Sequence, residues 1–351
     1  MIWKASFVIK NYIFESPMTI NYKPFTSEIK YEILPNNKGT KVSIVFDTEV
    51  SKPPALQRRK ALILLSAFKE ISAPFIGEAF DTELVELIPA SEKDRKEYDK
   101  IEVPDDLFFA SKPKIVRRDI IEKIQKSFSE VLTSKPVISL EELPKYQSLV
   151  ILRTMLRWYN RGLESKNLLD KFISLWVTFN VIYDSLWRRD HPKGKRPTHS
   201  DRILDCICRT LNEDECKQIL EPYEFILPDQ MPPYELIGTR QELDELIKSK
   251  DIKKIEANHK KFLDKEKQDL GFNKKDLLVY TYGLDFGKYW YTEDWISSLA
   301  QVLLHTYGVR NSVFHSGEIP LEEVPDSYQF WTIRNDILCK VNALLLVKIL
   351  A

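Results

Sequence analysis

The chain has 351 residues, 43% of them hydrophobic and 30% charged, so it can bury a substantial core and is long enough for two domains. Its 52 basic and 52 acidic side chains cancel, which excludes a global charge that would attract nucleic acid or an anionic membrane. No apolar run is long enough for a transmembrane helix, and four cysteines are too few for a disulfide framework. These features favour a reduced, cytoplasmic protein that has no membrane partner.

Alternating apolar residues predict strands in the N-terminal part of the chain. The alternation occurs at 3–9 and on both sides of the turn-rich segment 35–39, which together with its flanks predicts a hairpin. Helical spacing follows at 55–68, and 83–88 has the pattern of one more strand. The sequence therefore predicts an α+β domain over residues 1–110.

Beyond this domain the apolar spacing is helical. We predict a helical linker over residues 111–140 and an all-α bundle over residues 141–351. Two of the bundle helices meet near Gly162, and the polar link 164–167 between them is short. A connection of that length makes two helices antiparallel neighbours.

The most specific local feature is the segment 310–315, which we call the Arg310 motif. A histidine titrates near neutral pH and can move a proton to or from a hydroxyl group, whereas an arginine can stabilise the charge of a phosphate in a transition state. In a helix, Asn311 and His315 share a face, so the amide could orient the imidazole, with Arg310 about 100° away around the axis. An arginine in a surface ion pair and a histidine flanking a helix are the alternative, because this spacing alone is common.

Two parts of the chain resemble HEPN domains of the Apea-like kind. The segments 157–163 (RWYNRGL) and 172–176 (FISLW) are similar to the paired opening helices of these domains. The Arg310 motif matches the R-x4-6-H motif of the superfamily, including the polar residue directly after the arginine. The resemblance extends over residues 143–188 and about 293–350. It implies that the α+β N-terminal domain is followed by an all-α HEPN-like helical bundle, which has an insertion at about 190–290.

The resemblance also implies an activity, which is metal-independent endoribonuclease cleavage without a cofactor. The 2′-hydroxyl of RNA attacks the adjacent phosphate and leaves 2′,3′-cyclic phosphate and 5′-hydroxyl ends. Arg310 and His315 would be the catalytic pair, and Asn311 would support them. The implied partners are RNA, a second copy of the chain whose motif faces the same cleft, and an antitoxin or defence-system protein. The implied setting is a toxin system or antiviral defence, with the N-terminal domain sensing a trigger.

The resemblance also allows a second interpretation, in which the chain belongs to a different functional class. Many HEPN domains have lost activity, so the alternative is a catalytically silent HEPN-like module that binds RNA, a nucleotide or a partner protein through the same cleft. RNA binding without cleavage would favour this alternative.

Asn180 and Asp184 lie one turn apart on the second bundle helix. Buried polar groups need partners, so the sequence predicts that these two side chains support the cleft beside the Arg310 motif. HEPN domains often carry a polar or acidic residue on this helix. A helix-end hydrogen bond for Asp184 and a satisfied core amide for Asn180 are the alternative.

A basic loop follows that helix. Mobile cations in a loop broken by Pro and Gly bind phosphate backbones without reading the sequence. We therefore predict that this loop holds RNA, and a solvated loop with no partner is the alternative. The predicted RNA-binding residues are Arg188, Arg189, Lys193, Lys195 and Arg196.

No metal or cofactor is predicted. Cys206, Cys208 and Cys216 have the spacing C-x-C-x7-C, which fits no common zinc pattern. The sequence contains no P-loop, GxGxxG, GxSxG or HExxH motif, so nucleotide-hydrolysing, dinucleotide-binding, serine-hydrolase and zinc-protease functions have no support.

Overall fold

The computed structural model divides the chain into two compact units, Met1–Arg202 with Trp331–Ala351, and Ile203–Phe330. The structure describes residues 2–22, 29–36, 38–47, 54–90, 113–132, 143–191, 198–223, 234–249, 251–267, 278–282, 295–315 and 327–350. The predicted boundaries at 110 and 140 do not coincide with this division. The first unit is discontinuous, because the last helix of the chain returns to it.

Strands dominate the N-terminal part of the chain and helices dominate the rest. The strands are β1 (Ile2–Ile9), β2 (Tyr12–Phe14), β3 (Met18–Tyr22), β4 (Ile29–Pro35), β5 (Thr40–Asp47), β6 (Thr82–Ala90), β7 (Lys114–Val116), β8 (Tyr234–Gly238) and β9 (Leu278–Tyr282). The helices are α1 (Pro54–Ile76), α2 (Arg118–Leu132), α3 (Leu143–Glu164), α4 (Leu168–Asp190), α5 (His199–Thr210), α6 (Glu213–Leu220), α7 (Arg240–Ser249), α8 (Ile252–Lys267), α9 (Trp295–His315) and α10 (Ser327–Leu350).

Five strands of the first unit form an antiparallel sheet in the order β3-β4-β5-β1-β6. The predicted hairpin is confirmed, because β4 and β5 pair along their length and Asn36 and Gly39 exchange main-chain hydrogen bonds across the turn. The strands predicted at 3–9 and 83–88 are β1 and β6. The short strands β2 and β7 pair in parallel outside this sheet, and the sequence pattern did not predict them.

Helices α1 and α2 cover one face of the sheet through aromatic side chains. The ring centroids of Tyr31 and Phe128 are 5.0 Å apart, and those of Phe68 and Phe128 are 6.1 Å apart. All three rings are fully buried, and each contributes roughly 1.5–3 kcal/mol through the hydrophobic effect. Helix α2 falls within the predicted helical linker 111–140, and its Phe128 is part of this core.

Helices α3, α4 and α10 form a bundle in the same unit. Leu175 of α4 packs directly over Gly162 of α3, so the predicted pairing of these two helices is confirmed. Two buried amides of α10 bond to α4: the Nδ2 of Asn335 donates to the carbonyl of Leu168 over 2.9 Å, and that of Asn342 donates to the carbonyl of Leu175 over 2.8 Å. These bonds fix α10 along α4.

The second unit combines helices with a small β-ladder. Strands β8 and β9 pair antiparallel, and the apolar cluster of Leu236, Leu243 and Ile255 lies beneath the ladder. The Asn258 amide extends the ladder, because it both accepts from the N–H of Ile237 and donates to its carbonyl over 2.8 Å. The expectation of an all-α structure from 141 onward is therefore wrong for this segment. Strands that pair across about forty residues leave no local pattern in the sequence from which their pairing could be predicted.

Within the described part of the chain, no helix has the length and apolar character needed to cross a bilayer.

Candidate functional site

Helix α9 carries the Arg310 motif, and its first residue is anchored on α6. The main-chain N–H of Trp295 donates to a carboxylate oxygen of Glu213 over 2.9 Å. The Lys217 ammonium lies 6.0 Å from the centroid of the Trp295 ring. A carboxylate at a helix N-terminus satisfies an N–H group that has no partner within the helix, and it interacts favourably with the helix dipole. The N-terminus of α9, the helix that carries the motif, is therefore held in place by α6.

The motif occupies the last turns of α9. The Nη1 of Arg310 donates to the Oδ1 of Asn311 over 2.9 Å, and both side chains are half-buried. Asn311 therefore holds the guanidinium. The helical backbone continues to His315, so residues 311 and 315 are one turn apart, as predicted. The side chain of His315 lies outside the described residues, so its interaction with Asn311 stays a prediction.

Asp184 is the centre of an ion-pair network on α4. One carboxylate oxygen pairs with the guanidinium of Arg202, and the other lies 2.8 Å from Nη2 of Arg188. The Arg202 side chain is only 2% exposed, whereas that of Arg188 is 62% exposed. Loss of the Asp184 charge would leave a buried arginine without this counter-ion, which typically costs about 3–5 kcal/mol. Asp184 thus forms ion pairs with two arginines.

The predicted action of Asn180 and Asp184 beside the Arg310 motif stays a prediction. Asn180 is half-buried on α4, one turn before Asp184. Helix α4 belongs to the first unit and α9 to the second.

Two of the five predicted RNA-binding residues lie in the described part of the chain. Arg188 pairs with Asp184, and Nε of Arg189 donates to Asp190 over 2.9 Å. This hydrogen bond raises the pKa of the Arg189 guanidinium, which stays charged. Both side chains are mostly exposed at the C-terminal end of α4. The other three, Lys193, Lys195 and Arg196, lie outside the described residues.

His199, which the sequence pattern did not place in a functional site, lies beside this network. The Tyr183 hydroxyl and the Nδ1 of His199 are 2.8 Å apart, and the Arg202 guanidinium carbon lies 5.7 Å from the centroid of the Tyr183 ring. Tyr183 is buried and His199 half-buried. A tyrosine, a histidine and a buried arginine can together hold an anion or transfer a proton.

A local signal for this cluster does exist in the sequence. Thr198 and Asp201 form a reciprocal cap at the start of α5, in which the Thr198 hydroxyl donates to the Asp201 carboxylate over 2.7 Å and accepts from the Asp201 main-chain N–H over 3.2 Å. A threonine followed three residues later by an acid is a typical helix start. Recognising it would have placed His199 and Arg202 on the first turn of a helix.

The three cysteines of the C-x-C-x7-C segment differ in exposure. Cys206 and Cys216 are buried and Cys208 is exposed. No three His, Cys, Asp or Glu side chains in the described ranges are grouped so that they could hold a metal ion.

Comparison of the chain with protein-family models, with curated proteins and with solved structures gave no match.

Proposed function

We propose that the chain is a metal-independent endoribonuclease of the HEPN type, with Arg310 and His315 as its catalytic residues. The observation that carries the proposal is the hydrogen bond between Arg310 and Asn311 on the last turns of α9, with position 315 one turn beyond. An arginine held by a neighbouring amide has a defined direction, and electrostatic stabilisation of a transition state requires that groups be oriented beforehand. The resemblance to Apea-like HEPN domains assigns this pair to RNA cleavage.

The chemistry needs only a base, an acid and a cation. The 2′-oxygen forms a bond to phosphorus while the bond from phosphorus to the 5′-oxygen breaks. One proton leaves the 2′-hydroxyl and another goes to the departing 5′-oxygen, so no water molecule is consumed. His315 would transfer protons, and the Arg310 guanidinium would stabilise the extra negative charge on the phosphate. The histidine of a second copy in the same cleft would complete the acid–base pair.

The exposed arginines at the end of α4 would supply affinity rather than chemistry. Arg188 and Arg189 are charged and mostly exposed, although each also pairs with an acid. Contacts of this kind bind phosphates regardless of base sequence and weaken as salt rises.

The test is incubation of purified protein with end-labelled RNA in excess EDTA. We expect fragments with 2′,3′-cyclic phosphate ends, and a loss of about 100-fold or more for Arg310→Ala and for His315→Ala. Arg310→Lys keeps the charge but not the planar fork, so we expect a similar loss. Asn311→Ala removes only the support of the guanidinium, and we expect a smaller loss of about tenfold.

The matched controls are Arg209→Ala and His259→Ala. Arg209 pairs with Asp205 on the surface of α5, and His259 stacks on Phe262 of α8. Both should keep full cleavage. Intact RNA with folded wild-type protein at high concentration, over a range of RNA sequences, would overturn the catalytic proposal. RNA binding that persists in that case would identify a silent binding module.

A further inference from the structure

Gly308 is an exposed glycine in the interior of helix α9, two residues before the Arg310 motif. Glycine is the least favourable helix residue after proline, because it loses the most conformational freedom when the chain folds. A glycine inside a helix usually serves either a backbone conformation that other residues avoid or a close contact that a side chain would prevent. The surroundings of Gly308 distinguish these two reasons.

Neither the backbone nor the packing of the chain requires a glycine at this position. Gly308 has a helical backbone, and the glycine with a positive φ among the described residues is Gly77. A Cβ at Gly308 would meet no heavy atom within 4 Å outside the adjoining helix backbone, whereas a Cβ at Gly162 would come within 2.8 Å of Leu175. Close approach by a second molecule is the remaining physical reason for a glycine here.

The face of α9 that carries Gly308 is turned away from the core. At about 100° per residue, Leu299 and Leu303 lie on the opposite side of the helix, and both are buried. Asn311 lies about 60° from Gly308 around the helix axis, and position 315 lies about 20° from it. The exposed glycine therefore shares a face with the amide and the histidine of the Arg310 motif.

Asn311 connects this face with the guanidinium of Arg310. Arg310 begins about 160° from Gly308 around the axis, and its Nη1 donates to the Oδ1 of Asn311 over 2.9 Å. The Nδ2 group of the same amide can donate to an acceptor oxygen of a substrate. Gly308 and Asn311 are about 4.5 Å apart along the axis, so a single nucleotide can cover both.

We propose that Gly308 is a substrate-contact residue, over which the ribose next to the cleaved phosphate lies against bare helix backbone. This inference rests on the proposed ribonuclease function and adds to it a contact outside the Arg310 motif. Phosphate oxygens accept from Nδ2 of Asn311 and from the guanidinium of Arg310, and the ribose packs on the Cα of Gly308. A side chain at position 308 would occupy the volume of the sugar.

The experiment compares Gly308→Ala and Gly308→Leu with the wild type. It measures RNA cleavage in EDTA, thermal unfolding, and fluorescence anisotropy with a labelled 2′-fluoro RNA, which lacks the attacking hydroxyl. Gly308→Ala should raise the melting temperature, because alanine favours a helix, and should nevertheless lower kcat/KM about fivefold. Gly308→Leu should lower kcat/KM roughly 50-fold and weaken the binding of 2′-fluoro RNA about tenfold.

Ala257→Leu is the matched control. Ala257 is exposed on α8 in the same unit, so the substitution adds the same side chain to a helix that carries no part of the motif. This variant should cleave and bind RNA like the wild type. A purely structural role of Gly308 would make activity follow stability, so a more stable Gly308→Ala that cleaves less supports the contact.

The outcomes separate this inference from the proposed function. If the wild type cleaves RNA and Gly308→Leu cleaves equally well, the inference is wrong and the proposed function stands. If the wild type binds 2′-fluoro RNA but does not cleave RNA, and Gly308→Leu binds more weakly, the contact stands and catalysis is wrong. A wild type that neither cleaves nor binds RNA overturns both.

A second copy of the chain is the other molecule that could approach Gly308. Light scattering tests it, because a monomeric Gly308→Leu beside a dimeric wild type, with unchanged affinity for 2′-fluoro RNA, would assign the glycine to the dimer and overturn the inference. Gly308→Ala decides the matter if Gly308→Leu does not fold.

Discussion

The four cysteines of the chain differ in chemistry because they differ in burial. Burial raises the pKa of the Cys206 thiol to about 12 and also raises the pKa of Cys339. Cys216 is buried as well, whereas Cys208 is exposed on α5. Since the thiolate is the reactive form, the buried thiols should be inert in the native protein.

We therefore expect iodoacetamide at pH 8 to modify Cys208 alone among the four. Peptide mass spectrometry after a short reaction gives the modified fraction of each site. Reaction in urea, where all four thiols are accessible, is the control. Equal rates for Cys206 and Cys208 in the native protein would contradict the described packing of α5.

The ion pair of Asp184 shows what residue types and spacing could not predict. The sequence placed Asp184 on a helix and identified it as a polar group in need of a partner. Its buried partner is Arg202, which is 18 residues away on the next helix. No local sequence pattern specifies which arginine of another helix this carboxylate reaches.

At the scale of elements, we expect alanine substitution at two helical glycines to have opposite effects on stability. A Cβ at Gly162 would come within 2.8 Å of the buried Leu175 side chain, whereas a Cβ at Gly308 meets nothing within 4 Å. Gly162→Ala should lower the stability by about 1 kcal/mol, because overpacking between α3 and α4 outweighs the gain in helix propensity. Gly308→Ala should raise it by up to about 1 kcal/mol.

Circular dichroism during thermal unfolding provides the measurement for both glycine variants. The pair is informative because the same chemical change is made in two helices. A stabilised Gly162→Ala would mean that α3 and α4 are less closely packed than the structure has them.

Local periodicity predicted the elements that have a long apolar repeat. The strands β1 and β6, the β4–β5 hairpin and helices α1 to α4 all follow their patterns. Local periodicity did not predict the strand pairs β2–β7 and β8–β9, because each strand is only three to five residues long and its partner is far away in the sequence. The alternation in β1 predicted this strand correctly. It did not predict that Lys4 and Ser6 are buried, because the burial of their face depends on tertiary structure.

At the scale of the whole molecule, the proposed function implies a homodimer with two motifs in one cleft. Mixing Arg310→Ala with His315→Ala chains gives about half hybrid dimers, each with one intact arginine and one intact histidine. We expect partial recovery of RNA cleavage in the mixture, measured beside each variant alone. Light scattering after size-exclusion chromatography reports the assembly. An active monomer would contradict the shared cleft.

The position of α10 in the chain has a consequence for how the protein is made. Asn335 bonds to Leu168, which is 167 residues earlier. At a synthesis rate of about 5–20 residues per second, α3 and α4 wait roughly 10–30 s on the ribosome before α10 can cover them. During that interval apolar residues such as Phe172 and Leu175 are without this neighbour. The nascent chain should therefore depend on chaperones until α10 has been translated.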